Sequence, residues 1–342
     1  MRRTRDEDAS VDDAQRDDRV HVNTGATCNN NCLFCMEANR EGRSINNSAI
    51  TPEVVRGILE SRRGAPEVCF TSGEPTTNPN LAQYASWARE LGYERVSVMS
   101  NGRLFAYESY VRRLVAAGMN RFIISLHGHE AKIHEGLTRT PDSFAQTVEG
   151  VKNVAKCVRH GCELHVSAVV TTRNVAHLGD IYAFARGLGA QQVIFNTLQV
   201  SGRADSHFEQ VTPSYSTVVR EFRAFLEHAG KTEPRVMAFL LDVPPCVTTG
   251  IADFNRGHVE RHVHFGVASG DWAEWSAAVA AGLDELDVRL VPLDGRLFGG
   301  TGRTKGPECA RCVLAPSCEG VWYHYVRRNG WAEFQPVLQE PA

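Results

Sequence analysis

No stretch of the 342-residue chain is apolar over a length that could cross a bilayer, so the sequence gives no sign of a helical membrane span. Its first residues, MRRTRDEDASVDDAQRDDR, lack the apolar core that a secretory signal needs, and a cytoplasmic location is the expectation. Nor is there a surplus of one charge: 37 Lys and Arg against 40 Asp and Glu leave a net charge of -3. With no basic stripe and no recognisable RNA-binding appendage, nucleic acid is not an expected partner. Large apolar residues are almost missing from 1–19, which therefore reads as a disordered tail.

Cysteine, by contrast, is plentiful. A chain of this length buries enough apolar surface to fold without staples, and a reducing compartment does not sustain structural disulfides. Metal ligation is the leading explanation for the ten cysteines.

From Val20 onward, short β-rich runs alternate with longer amphipathic segments. The runs are 20–24, 67–72, 95–100, 121–126, 163–170 and 192–198. Helical spacing of apolar residues recurs over 51–62, 80–91, 105–117, 142–158, 176–188 and 212–228. Repeated β-then-α units predict a parallel sheet, either a partial (β/α)6 TIM-like barrel or an open doubly wound sheet. Either way, chemistry gathers at the carboxyl ends of the strands. The alternation fades after about residue 231, so the expected organisation is a tail over 1–19, a core domain over 20–231 and an extension over 232–342 held partly by metal.

The first predicted strand runs into GATCNNNCLFCME, which places Cys28, Cys32 and Cys35 in one loop at C-x3-C-x2-C spacing. Three thiolates in one loop suit an iron–sulfur cluster, whereas structural zinc usually takes four ligands in C-x2-C or C-x4-C pairs. Asn29, Asn30 and Asn31 tolerate left-handed backbone, which a loop wrapping a cube-shaped cluster would use. Later strand ends carry Ser72-Gly73-Glu74-Pro75, then Ser100-Asn101-Gly102, then Ser125 in ISLHG. Near the C-terminus Cys309, Cys312 and Cys318 stand at C-x2-C-x5-C spacing, and Cys246, after two prolines, offers a fourth thiolate for either [4Fe-4S] or zinc. Cys69, Cys157 and Cys162 read as free cysteines, although either of the last two could take the place of Cys246.

In these motifs the sequence resembles the radical S-adenosylmethionine (SAM) superfamily, over roughly 20–205 for the core and 240–330 for the extension. The resemblance implies that Cys28, Cys32 and Cys35 hold a [4Fe-4S] cluster whose fourth iron takes the amino and carboxylate groups of SAM. Phe34 would then contact the adenine side. Ser72, Gly73, Glu74, Pro75, Ser100, Asn101 and Ser125 would be cofactor contacts, and Arg139 would pair with the SAM carboxylate. The second cysteine group resembles the SPASM and twitch extensions, which carry auxiliary clusters. Trp322 stands where the SPASM pattern continues with cysteine, so there is room for one auxiliary [4Fe-4S] cluster.

The implied activity is oxidoreductase chemistry. Reductive cleavage of SAM, driven by a partner such as flavodoxin or ferredoxin, gives a 5'-deoxyadenosyl radical that takes hydrogen from a substrate. That substrate is expected to be a peptide in natural-product maturation, with a sugar, amino acid or other small metabolite as the alternative. The small size of the segment before the first strand weighs against an N-terminal leader-binding domain. A non-catalytic iron–sulfur carrier and a zinc-stapled module are the readings outside this enzyme class. His127, His129 and His134 fall close together, and a polar or solvent-exposed role is expected for them because cysteine already meets the demand for metal ligands.

Overall fold

The computed structural model describes residues 19–36, 47, 50–200, 202–233, 235–255, 262–265 and 303–339. The expected tail, residues 1–18, lies outside them, but Arg19 does not belong to it. The first strand, β1, is Arg19–Asn23, and the Arg19 side chain is buried against Glu67. The chain then alternates as expected through α1 (Pro52–Ser61), β2 (Glu67–Thr71), α2 (Leu81–Glu90), β3 (Arg95–Ser100), α3 (Glu108–Ala116) and β4 (Arg121–Ser125). It continues through α4 (Ala131–Thr138), α5 (Ser143–Val158), β5 (Glu163–Val169), α6 (Leu178–Gly187) and β6 (Gln192–Asn196). Two short helices, α7 (Gly202–Ser206) and α8 (Phe208–Val211), precede α9 (Tyr215–Ala229).

Helix starts follow local chemistry. Thr51 caps α1 by accepting from the Val54 N–H with a proline at the first turn, and Ser214 caps α9 through the Thr217 N–H. Helix α4 had no counterpart in the sequence reading. It is only eight residues long, and His134 and Gly136 break up its apolar pattern.

All six expected strands are present and pair in parallel. The sheet is wider than six, because β7 (Ala238–Leu241) pairs with β6 and β8 (His262–Phe265) pairs with β1, giving the order β7-β6-β5-β4-β3-β2-β1-β8. Both extra strands fall within 232–342, the segment read as extension. They are four residues long and carry too little alternation to register as strands in the sequence.

The two faces of the sheet differ, and the difference decides its shape. Val20, Val22, Val68, Phe70, Val96, Val98, Phe122, Ile124, Leu164 and Val166 alternate along the strands in the buried apolar core. On the other face the partners in register include Arg19 with Glu67, Arg121 with Glu163, and Ser125 with Ser167. A doubly wound sheet is apolar on both faces. One apolar face and one buried polar face instead describe a half-barrel whose polar side turns inward.

At the amino ends of the strands, Glu67 is fully buried between Arg19 at 2.9 Å and Arg121 at 2.6 Å and accepts from Ser97 Oγ at 2.5 Å. This network closes one end of the half-barrel with every charge paired, as a buried ion must be. The opposite, carboxyl end is left to the loops.

The last described segment, 303–339, adds a two-stranded antiparallel ribbon of β9 (Arg303–Thr304) and β10 (Val321–Trp322), followed by α10 (Tyr323–Asn329). Tyr325 packs its ring 4.7 Å from Tyr215 of α9 and close to Phe208 and Phe334. Core packing is therefore the role of Tyr325. The Arg303 guanidinium lies 4.1 Å from the Trp322 ring centre and pairs with Asp242 at 2.6 Å, which joins the ribbon to the end of β7.

Candidate cluster and cofactor site

The three cysteines of the first group follow β1 directly, at the carboxyl end of the sheet, and donors from several other strand ends hold their loop. From the β2 turn, the Glu74 N–H donates to Thr27 O at 2.7 Å. Gly73 has φ 55°, and a Cβ there would stand 2.6 Å from Thr27 O, so only glycine allows this approach. From the β3 turn, Asn101 Nδ2 donates to Asn29 Oδ1 at 2.6 Å, and Arg103 Nη1 donates to Asn29 O and to Asn30 Oδ1.

From the β4 side, Thr138 O and Leu137 O, at the end of α4, accept from the Asn31 and Leu33 N–H groups at 3.0 and 2.8 Å. From beyond β6, Arg203 Nη1 donates to Cys32 O at 2.9 Å and the Arg203 N–H to Cys35 O at 3.0 Å. Gly202 lies so close that a Cβ would meet Met36 O at 2.4 Å.

These contacts correct the reading of the asparagines. Among the described residues, positive φ outside glycine occurs at Ser72, Arg139, Asp142 and Asp242, so Asn29, Asn30 and Asn31 do not use left-handed backbone. The side-chain oxygens of Asn29 and Asn30 serve instead as acceptors for Asn101 and Arg103. The strain falls one turn away, at Ser72 with φ 72°.

Glu74 lies at the centre of the arrangement. It is buried, Oε1 accepts from Ser100 Oγ at 2.6 Å, Thr76 Oγ1 at 2.5 Å and the Thr76 N–H at 3.1 Å, and Oε2 accepts from the Asn101 N–H at 2.6 Å. Burial raises its carboxyl above the usual range, and those hydrogen bonds hold the rise back. The side chain fastens the β2 turn to the β3 turn, and Ser100 passes the connection on to the Gly102 N–H at 2.9 Å.

Ser125 ends β4 on the polar face, opposite Ser167, which accepts from Asn196 Nδ2 at 2.6 Å. Phe34 meets His127 edge to face, ring centres 5.0 Å apart, and His127 stacks on His134 at 5.6 Å. Each imidazole accepts at Nδ1, His127 from the Val169 N–H and His134 from the His127 N–H, so each is neutral with its proton on Nε2. Burial, and for His127 also His134, lowers the pair to about 3 and about 4. The polar role expected of these two histidines thus holds, in buried rather than exposed positions. Arg139 is exposed, in left-handed conformation at the end of α4. Thr171 and Asn174 are fully buried, and Asn174 braces the β5 exit by donating to His127 O and Val169 O, each at 2.9 Å.

The donor chemistry fits an iron–sulfur cluster. Burial first, then Cys28 and Cys35, push the Cys32 thiol up to about 12, and a bound cation would favour its thiolate. The Asn30 N–H points at Cys28 Sγ, 3.4 Å away, as donors around cluster thiolates do.

The second group also converges. Cys246 follows β7 at the same end of the sheet, in a turn over Pro245–Val247. Its thiol is raised to about 11 by burial and then by Cys318, Cys312 and Cys309, so all four lie within electrostatic reach. Backbone N–H groups of Gly320 and Val337 point at Cys318 Sγ and Cys312 Sγ, at 3.3 and 3.4 Å. Cys157 ends α5 and Cys162 precedes β5, at the amino end of the sheet, while Cys69 is fully buried within β2. The sequence singled out the cysteines but missed Arg103 and Arg203, whose roles rest on contacts across many residues.

A family model for the radical SAM superfamily matches residues 22–185. AdoMet-dependent heme synthase of Methanosarcina barkeri is 27% identical over 199 residues, 58% of this chain and 55% of that protein. Probable GTP 3',8-cyclase of Sulfurisphaera tokodaii is 27% identical over 192 residues, 56% of this chain and 59% of that one. The chain thus spans little more than half the length of these curated relatives.

Among solved structures, Streptococcus suis SuiB bound to precursor peptide SuiA matches 95% of this chain and 76% of its own at a TM-score of 0.64 and 15% identity. The enzyme anSMEcpe with bound AdoMet matches 92% of this chain and 96% of its own at a TM-score of 0.57 and 14% identity. At such identities the likeness is one of fold. Of the groups that grip the cysteine loop, all but Gly202 and Arg203 fall inside the segment that matches the radical SAM superfamily model.

Proposed function

We propose that this protein uses a cluster on Cys28, Cys32 and Cys35 to cleave SAM reductively and to take hydrogen from a peptide substrate, with an auxiliary [4Fe-4S] cluster on Cys246, Cys309, Cys312 and Cys318. The observation that carries it is the grip on the cysteine loop from the β2, β3, β4 and β6 sides, which presents three thiols at the carboxyl end of the half-barrel. When bound, the cluster supplies one electron to the SAM sulfonium and so starts the radical chemistry.

The chain's own part is orientation. Gly73 brings the β2 turn against the loop, Glu74 locks that turn to Ser100 and Asn101, and Phe34 offers an aromatic face backed by His127. The exposed Arg139 supplies a cation for the SAM carboxylate. Ser125 offers a hydroxyl on the inward face, and the Ser72 to Pro75 turn offers backbone groups.

Anaerobic incubation of the iron-loaded protein with SAM and a strong reductant should yield 5'-deoxyadenosine, and a Cys28/Cys32/Cys35→Ala variant should yield none. If the fully loaded wild type makes none either, an electron carrier is the better reading. Replacing Cys246, Cys309, Cys312 and Cys318 by alanine should remove about half the iron while sparing cleavage of SAM. Loss of bound zinc with no loss of iron would assign that site to zinc.

The peptide reading is supported by the likeness to SuiB, which takes in nearly the whole chain and whose structure holds a precursor peptide. The curated relatives, named for heme synthesis and GTP cyclisation, favour a small metabolite as the second reading. Thermal protection by a peptide library, set beside GTP and an iron-free porphyrin, separates the two, because a ligand stabilises the state it binds.

A further inference from the structure

The described residues contain one group of three metal-ligating side chains of a different kind from the cysteines. His129, His177 and Asp180 each bring one ligand atom to within 4.8 Å of the others. His129 lies in the loop between β4 and α4, and His177 and Asp180 lie at the start of α6, so two successive βα connections meet there. The two imidazole centres are 5.2 Å apart, and His177 Nδ1 lies 3.1 Å from Asp180 Oδ2.

Part of this has a local cause. His177 precedes the first turn of α6 and Asp180 stands within that turn, where a carboxylate is favoured by the helix dipole. That cause does not reach His129. Its Nδ1 is buried and has no hydrogen-bond partner among the described residues, which is a costly state for an imidazole nitrogen.

The supporting backbone is fixed on both sides. Gly128 is pressed against α4, where a Cβ would stand 2.8 Å from the His134 N. Asn174, three residues before His177, accepts from the Thr171 N–H at 2.7 Å and donates to His127 O, two residues before His129. One buried amide therefore sets the spacing of the two loops that carry the imidazoles.

We propose that His129, His177 and Asp180 form a binding site for a divalent transition metal such as zinc, independent of both cysteine groups. Two imidazoles and one carboxylate are a donor set for zinc, iron or nickel rather than for magnesium or calcium. Bonds of about 2.0–2.1 Å set tetrahedral ligand separations near 3.4 Å. The chain would reach them by turning His177 and Asp180, whose side chains are 40% and 60% exposed. His129 supplies a ligand nitrogen that is already buried. Three protein ligands leave a coordination position open to water or to a substrate oxygen, and the metal would pin the β4 and β5 exits together beside His127.

The test is zinc content, measured on cluster-loaded protein equilibrated anaerobically with low-micromolar zinc. Wild type should hold one zinc equivalent that the His129→Ala and His177→Ala variants lack, with affinity at least a hundredfold weaker in each. Asp180→Asn should weaken it about tenfold. Zinc should raise the Tm of the wild type and leave that of His177→Ala unchanged. Equal zinc content in wild type and both histidine variants, or none in the wild type, overturns the proposal.

Discussion

Arg203 reaches back across the half-barrel to donate from its guanidinium to Cys32 O at 2.9 Å, and its own N–H donates to Cys35 O at 3.0 Å. The residue belongs to α7, beyond β6, whereas the cysteines follow β1. It thereby closes the cysteine loop from the side opposite the β2 and β3 turns. Replacing it with glutamine removes a charged donor from a partly buried carbonyl, a loss of about 1–2 kcal/mol in the hold on the loop. Iron content after mild chelation should fall well below that of the wild type while the far-ultraviolet circular dichroism is unchanged. A variant that keeps its iron as well as the wild type would show that the other strand ends suffice.

Glu74 has a comparable role on the other side. Turning the amide of a Glu74→Gln variant either way sets a donor against the N–H of Asn101 or of Thr76, and neither backbone group has another acceptor within the turn. The expected cost is about 2 kcal/mol, read from urea unfolding of the metal-free protein. An unchanged midpoint would mean that the carboxyl is already protonated in the native state, as its burial favours.

The sequence carried the strands and the cysteines because their signals are local: alternation over five to seven residues, and a three-cysteine spacing within one loop. It did not carry what holds that loop. Arg203 and Gly202 lie 167 or more residues from the cysteine carbonyls they approach, and no pattern in one sequence links positions so far apart. Nor did it reveal β7 and β8, which are four residues each and owe their existence to the edges of the neighbouring strands. Asn29 and Asn30 show a subtler miss. Their backbone tolerance was legible, but the fold uses their side-chain oxygens.

Gly73→Ala tests the close approach of the β2 turn. The new methyl would stand 2.6 Å from Thr27 O and would also force alanine to φ 55°, so the turn must move away from the loop. Strain of this kind costs of the order of 2 kcal/mol and displaces the Glu74 N–H from Thr27 O. Cluster loading should drop severalfold, measured as iron and sulfide per chain. The control is Gly57→Ala on α1, where a Cβ has open space, and it should load normally.

His134 gives the fold a measurable acid sensitivity. Burial lowers it from 6.5 to about 4, so between those values the unfolded chain binds a proton that the native state refuses. Its contribution is complete above pH 6.5, declines as the pH falls through that value, and reaches its full loss near pH 4. Each pH unit in this window costs about 1.4 kcal/mol. Urea unfolding of the metal-free protein at pH 7.5, 6.5 and 5.5 should therefore show a steeper loss in the wild type than in His134→Gln, which can still accept from the His127 N–H. Parallel curves for the two proteins would mean that the imidazole gains a proton without leaving its place between His127 and Phe144.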